Sequence, residues 1–162
     1  MMSGDVERIT SIVTESFRRS GQRGVLVGGW GRFAEPDPKN DYVLRIDSAP
    51  YEWLFPRISA AVHHAGAGTT AAAARAGIPS VTVPYFADQP FWASRLHRLG
   101  VGTRPLPHRA LNERNLAEAI RMAVHHAEMR RRAQQLGEAM RKEDGVERAV
   151  EIINRALEGA RP

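Results

Sequence analysis

Val62-His63-His64-Ala65-Gly66-Ala67-Gly68-Thr69-Thr70 decides how this chain folds. An apolar strand runs into a glycine-rich turn and then straight into an alanine-rich helix, the βα unit of a parallel sheet. Such a turn leaves the first N–H groups of the helix without intrahelical acceptors, and the helix dipole favours negative charge in front of them. The natural occupant is a phosphate or diphosphate. Gly66 and Gly68 lack Cβ, so the backbone there can take positive φ and approach a ligand closely, while Thr69 and Thr70 offer hydroxyls at the helix start. His64, at the strand end, can donate to a phosphate oxygen. A buried strand-end histidine beside a plain tight turn is the competing reading. His63 points to the opposite face by the period of two and is expected to be structural.

Upstream, the spacing of Val6, Ile9, Val13 and Phe17 predicts an amphipathic helix from Val6 to Arg19, ended by Gly21. Gly24 to Gly29 reads as a buried strand and Tyr42 to Ile46 as a second, after a loop punctuated by Pro36 and Pro38. A turn at Ser48 to Pro50 leads into one or two helical turns over Glu52 to Ile58, and the strand Ala60 to His64 follows. Downstream, Thr69 to Ala76 is helix closed by Gly77 and Pro79, and Ser80 to Pro84 is the next strand. Pro90 opens a helix to Leu99, and Val101 to Arg104 reads as a last short strand. Asn112 caps a helix reaching His126, and Glu128 to Lys142 and Val146 to Leu157 follow, separated by a break at Asp144-Gly145. This alternation predicts an α/β fold with a doubly wound, Rossmann-like parallel sheet, whose ligands bind at the carboxyl ends of the strands.

Asp88 and Gln89 follow the next strand end. Carboxylate and carboxamide together match adjacent sugar hydroxyls, each of which donates and accepts; the competing reading is that Asp88 merely caps the helix. On one sheet edge, anion recognition beside hydroxyl recognition suits a sugar attached to a nucleoside diphosphate. Neither the G-x-x-x-x-G-K-S/T loop of ATPases and GTPases nor an early dinucleotide-type G-x-G-x-x-G is present.

At 162 residues with 43% hydrophobic content, the chain is one domain's worth of protein. Zero cysteines exclude disulfides and thiolate chemistry. The net charge of +5 raises nucleic acid as a partner, but the basic residues, 21 Arg and 2 Lys, are scattered along the chain. The one dense run, Arg130-Arg131-Arg132, lies near Glu128 and Glu138 and reads as a solvated helix face, and no aromatic-and-basic ladder suits base stacking. No nucleic-acid partner is expected. With no transmembrane segment and no secretory leader in the sequence, the expected location is cytoplasmic.

His63-His64-Ala65-Gly66-Ala67-Gly68-Thr69-Thr70, Arg75-Ala76-Gly77-Ile78-Pro79, Val83-Pro84 and Phe86-Ala87-Asp88-Gln89-Pro90 resemble the donor-site signature of nucleotide-sugar-dependent glycosyltransferases of the GT-B fold. The group includes sterol glucosyltransferases, glycopeptide-antibiotic glycosyltransferases and, more distantly, UDP-glucuronosyltransferases. Gly28-Gly29-Trp30-Gly31 and Pro50-Tyr51-Glu52-Trp53-Leu54-Phe55 resemble the G-G-W-G and P-H-D-W-L-F segments of the sterol branch. The signature spans Gly24 to Arg104, with the helices of 112–158 outside it.

The resemblance implies that residues 1–162 are a nucleotide-sugar donor-binding domain, the C-terminal half of a GT-B enzyme. Met2-Ser3-Gly4 resembles the end of the family's first central strand and the turn after it, so that strand is expected to be missing between those at Gly24 and His64. Two inner edges would be left open, to be met by an N-terminal acceptor domain, a second chain, oligomerisation or a strand swap. By the resemblance, His64, Gly66, Ala67, Gly68 and Thr69 hold the diphosphate of a UDP- or dTDP-sugar, and Asp88 and Gln89 hold the transferred sugar. Ser48, Pro50 and Trp53 border the nucleobase, though Trp53 could equally be a core residue. The implied reaction is inverting transfer of a hexose to a hydroxyl of a small-molecule or lipid acceptor, without metal or further cofactor. The catalytic base belongs to the N-terminal half, so no catalytic residue is assigned in this chain. The alternative is a non-catalytic nucleotide-sugar-binding or partner-docking half of a split glycosyltransferase. Two positions depart from the family: the usual H-H-G-G reads His63-His64-Ala65-Gly66, and a frequent ribose-binding Glu is replaced by Ala72.

Overall fold

A computed structural model describes residues 3–28 and 41–159 of the chain. Met2, Gly29, Trp30, Gly31, Pro36 and Pro38 lie outside the described residues. The elements run α1 (Ser3–Ser20), β1 (Gly24–Val27), β2 (Val43–Ile46), α2 (Tyr51–Leu54) with a 3-10 turn over Phe55–Arg57, β3 (Ala61–His63), α3 (Ala67–Ala76), β4 (Ser80–Thr82), α4 (Gln89–Arg98), α5 (Glu113–His125), α6 (Ala127–Lys142) and α7 (Gly145–Gly159). The expected α/β order holds, with boundaries displaced by a few residues.

The strands form two parallel pairs. β1 lies on β2 in the register Gly24↔Val43 to Val27↔Ile46, and β3 lies on β4 in the register Ala61↔Ser80 to His63↔Thr82. Among the described residues no ladder joins β1 to β3, where the resemblance places its central strand. Gly24 and Gly28 give their N–H groups to Tyr42 and Ile46 across the β1–β2 ladder. By the alternation of a parallel ladder, the backbone groups of Val25 and Val27 therefore face the other way. Among the described residues that edge of β1 has no ladder partner.

The expected strand Val101 to Arg104 is reduced to one bridge, Ser80↔Gly102. Ser80 and Thr103 N–H groups bond to the carbonyls of Val101 and Ser80, and Leu106 N–H reaches Thr82. The chain thus runs beside β4, but Pro105 and Pro107 have no N–H to donate and the ladder stops.

Alternation along β4 sorts the core into two layers. Val81 and Val83 pack with Ile12 of α1 and Leu116, Ile120 and Ala123 of α5. On the other side, Ala61 of β3 packs with Leu54, Phe55 and Ala73 of α3. Helices on both faces make the β3–β4 pair doubly wound, and the parallel register puts the ends of β3 and β4 on one edge. The helix termini follow local chemistry. Gly77 closes α3 in the left-handed conformation at φ 76°, and Asn112 starts α5 in a capping box with Asn115. In α7 every described side chain is exposed, including Val146, Val150, Ile153 and Leu157 on one face.

α6 crosses the C-terminal end of α3 at glycine. A Cβ on Gly137 would stand 2.7 Å from Gly77 Cα and 3.0 Å from the Ala74 carbonyl oxygen. Arg75 donates to the Met140 carbonyl 3.0 Å away, and Arg141 donates back to the Arg75 carbonyl. Gly137→Ala gains helix propensity of up to ~1 kcal/mol but loses about 2–3 kcal/mol to overpacking. The expected result in urea unfolding is a net loss of about 1–2 kcal/mol; a gain would show that the helices do not meet there.

Candidate functional site

The site begins where β3 stops. The His63 carbonyl accepts the Val83 N–H at 2.9 Å, which fixes the strand end against the segment after β4. Ala65 then takes φ 66° and is wholly buried. Gly66 returns to extended backbone (φ −62°, ψ 146°) as the N-cap residue of α3, its carbonyl accepting the Thr70 N–H at 2.9 Å. The positive φ expected at Gly66 or Gly68 therefore falls on Ala65, because that is where the chain must reverse direction to enter the helix.

Gly66 leaves room for a neighbouring ring. A Cβ there would sit 2.5 Å from His64 Nε2, so the exposed imidazole of His64 lies over Gly66 beside the α3 terminus. A Cβ on Gly68 would meet nothing within 4 Å. The first turn of α3 opens on free space. Helix geometry gives the N–H groups of Ala67, Gly68 and Thr69 no intrahelical acceptor, and Gly66 contributes no side-chain cap. The buried strand-end histidine is His63, at 9% exposure, and not His64.

The loop after β4 carries the second group. Gln89 is buried, and its Oε1 accepts the N–H groups of Tyr85 and Phe86 at 2.8 and 3.3 Å. The carboxamide oxygen thus ties the loop together, and the side-chain NH₂ is what remains for a ligand. Asp88 occupies the N-cap position of α4 without making a capping bond. Its Oδ2 instead accepts from Trp92 Nε1 at 2.8 Å, which leaves the carboxylate exposed at the sheet edge. Helix capping therefore does not account for Asp88. Trp92 was not singled out in the sequence, although its spacing of four from Asp88 at a helix start is the signal that could have found it.

Ser48, Pro50 and Trp53 follow β2. Ser48 and Pro50 are exposed, and the Pro50 carbonyl accepts the N–H groups of Trp53 and Leu54. Trp53 is 55% exposed, so the core-residue alternative is overturned: Leu54 and Phe55 fill that role. The Arg57 guanidinium lies 4.7 Å from the Trp53 ring centroid and donates to the Trp53 carbonyl at 2.6 Å, holding the indole outward. Ala72, half-buried, packs against the Leu54–Phe55 cluster. The structure thus brings His64, the α3 terminus and Asp88–Gln89 to one edge, with the Ser48–Trp53 loop on the α2 side of α3.

Residues 38–155 match the erythromycin biosynthesis protein CIII-like C-terminal domain, found in GT-B glycosyltransferases. The chain belongs to this family. Its relatives include the sterol 3-beta-glucosyltransferase UGT80A2 of Arabidopsis thaliana, 41% identical over 155 residues that make up 96% of this chain and 24% of the relative. Another is the O-mycaminosyltylonolide 6-deoxyallosyltransferase of Streptomyces fradiae, 46% identical over 91% of this chain and 34% of the relative. The chain therefore spans about a quarter to a third of the length of these relatives. Among solved structures, the glycotransferase of kitacinnamycin matches with a TM-score of 0.79 at 22% identity, over 90% of this chain and 38% of the other. The glycosyltransferase VinC, solved with dTDP, matches with a TM-score of 0.71 at 22% identity, over 88% and 38%. These two establish the fold, that of the GT-B C-terminal domain.

Burial, with a smaller contribution from His64, pushes the His63 pKa down from 6.5 to about 4. The unfolded chain protonates His63 below pH 6.5, whereas the folded chain resists protonation until about pH 4. Its contribution to stability is thus complete above pH 6.5 and is lost as the pH falls through that window. Unfolding free energy should drop by about 2 kcal/mol between pH 7 and pH 5 on account of His63. Urea titrations at both pH values, on the wild type and on His63→Leu, check this; an unchanged slope in the variant would assign the effect elsewhere.

Proposed function

We propose that this chain is the donor-binding half of an inverting glycosyltransferase, holding a UDP- or dTDP-sugar across the loops that follow β3 and β4. One observation carries the reading: the first turn of α3 opens on free space above Gly68, beside the exposed imidazole of His64. Three N–H groups, a helix dipole and an imidazole converge there, a chemistry suited to a diphosphate. The dTDP bound by VinC supports the choice of ligand. In this reading Asp88 and the NH₂ group of Gln89 hold the sugar, and Trp53, backed by Arg57, borders the base with Ser48 and Pro50.

Transfer then divides between two halves. A base outside this chain takes the proton of an acceptor hydroxyl as its oxygen attacks the anomeric carbon from the face opposite the diphosphate, and the bond to the diphosphate breaks with inversion. The N–H groups of Ala67, Gly68 and Thr69, together with His64, stabilise the charge on the departing diphosphate, so the proposal requires no metal ion. The other half is an N-terminal acceptor domain or a second chain. The exposed apolar face of α7 and the open edges of β1 and β3 are the surfaces that support such a partner.

Calorimetry with UDP, dTDP, UDP-glucose and dTDP-glucose tests the site. His64→Ala should weaken every diphosphate by about 1.5–3 kcal/mol, the value of a charge-assisted hydrogen bond. Asp88→Ala should weaken only the two sugar-bearing ligands. Equal losses for UDP and UDP-glucose in the Asp88 variant would refute the sugar assignment.

A further inference from the structure

We infer that His63, which makes none of the proposed ligand contacts, is the positioning residue of the phosphate loop: its Nδ1 holds the left-handed bend at Ala65 that aims the α3 terminus. The inference rests on the donor reading only for the identity of the ligand.

The geometry is local and closed. The His63 backbone is pinned on its β4 side by the Val83 N–H and by its register with Thr82. Two residues on, Ala65 sits at φ 66°, a conformation that a Cβ resists. Ala65 is wholly buried, so water cannot serve its N–H, and the acceptor is His63 Nδ1 at 3.2 Å. Without that acceptor the bend would combine an unfavourable φ with an orphaned buried donor. The chain would then relax toward a right-handed or extended residue at 65, and the first N–H groups of α3 would swing away from the strand end.

The same bond fixes the tautomer. A nitrogen that accepts carries no proton, so the proton of the neutral ring is on Nε2. That atom is buried without a hydrogen-bond partner, as are the hydroxyls of Thr82, on the same sheet face, and Thr70 of α3. An imidazolium would donate from both nitrogens and release the Ala65 N–H. Burial keeps the ring neutral. A space-filling role alone would be served equally well by leucine, which supplies the bulk but no acceptor.

The test titrates UDP and dTDP into the 162-residue chain and its variants. His63→Leu is expected to lose about tenfold in affinity, the scale of one released strained residue. His63→Asn should stay within about threefold of wild type, because its side-chain oxygen can accept the N–H two residues on. Ala65→Gly should recover part of the affinity lost in His63→Leu, since glycine takes the positive φ at no steric cost while its N–H still lacks the acceptor. Wild-type affinity in His63→Leu, loss in His63→Asn equal to that in His63→Leu, or failure of the rescue would each overturn the inference. Two readouts need no ligand and no variant: slow amide exchange at Ala65, and a ¹⁵N signature of His63 with Nε2 protonated. If the wild type binds neither UDP nor dTDP, the donor reading falls, and these two still decide the role of His63. Fast exchange at Ala65 or a protonated Nδ1 would overturn it.

Discussion

One bend, at Ala65, decides where everything else in the site can be. A parallel strand that feeds a helix must reverse direction within a few residues, and here one left-handed alanine does so between β3 and α3. Because the reversal is that tight, the terminus of α3 stands directly at the strand end, and its unpaired N–H groups face the same edge as the loop after β4. The next residue, a glycine, leaves open the space over which the His64 ring lies. The residue after Ala67 opens outward. Strand, bend, ring and helix terminus form a single geometric chain, and a change in the bend propagates to all of them.

The second loop uses the same device with different residues. Ala87 also has a positive φ, 55°, and the loop around it is tied by a buried side-chain oxygen, that of Gln89, accepting two backbone N–H groups. In both loops a buried acceptor within two residues of a left-handed alanine holds irregular backbone in place. Strain of this kind persists only where the surroundings over-determine it, and it clusters at working sites. Its presence at two adjacent strand ends agrees with the common edge proposed for diphosphate and sugar.

Much of this was legible in the sequence. Glycine and proline punctuation marked the strand–turn–helix order, the Asn112 cap and the closure of α3 at Gly77, because those signals act through local backbone geometry. The pairing of His64 with Asp88–Gln89 was also legible, because adjacent parallel strands end on one edge. What was hidden depends on side-chain geometry or on contacts distant in sequence. The left-handed residue was looked for at glycine and was alanine, since residue type gives only a preference for φ. The last strand lost its ladder to Pro105 and Pro107, whose effect depends on which N–H groups β4 requires. The close approach of Gly137 in α6 to Gly77 joins residues sixty apart in sequence, and Gln89 looked like a ligand group until its oxygen was found on the loop backbone.

The chain belongs to a family whose members extend well beyond it, and the central claim of the proposed donor role concerns the terminus of α3. Amide chemical shifts of the ¹⁵N-labelled chain, followed during titration with UDP, test that claim directly. The account predicts that the largest shifts fall on Gly66, Ala67, Gly68 and Thr69, with the His64 ring moving alongside them. Shifts centred on the Arg130–Arg132 face of α6, or on α7, with the α3 terminus unmoved, would contradict it.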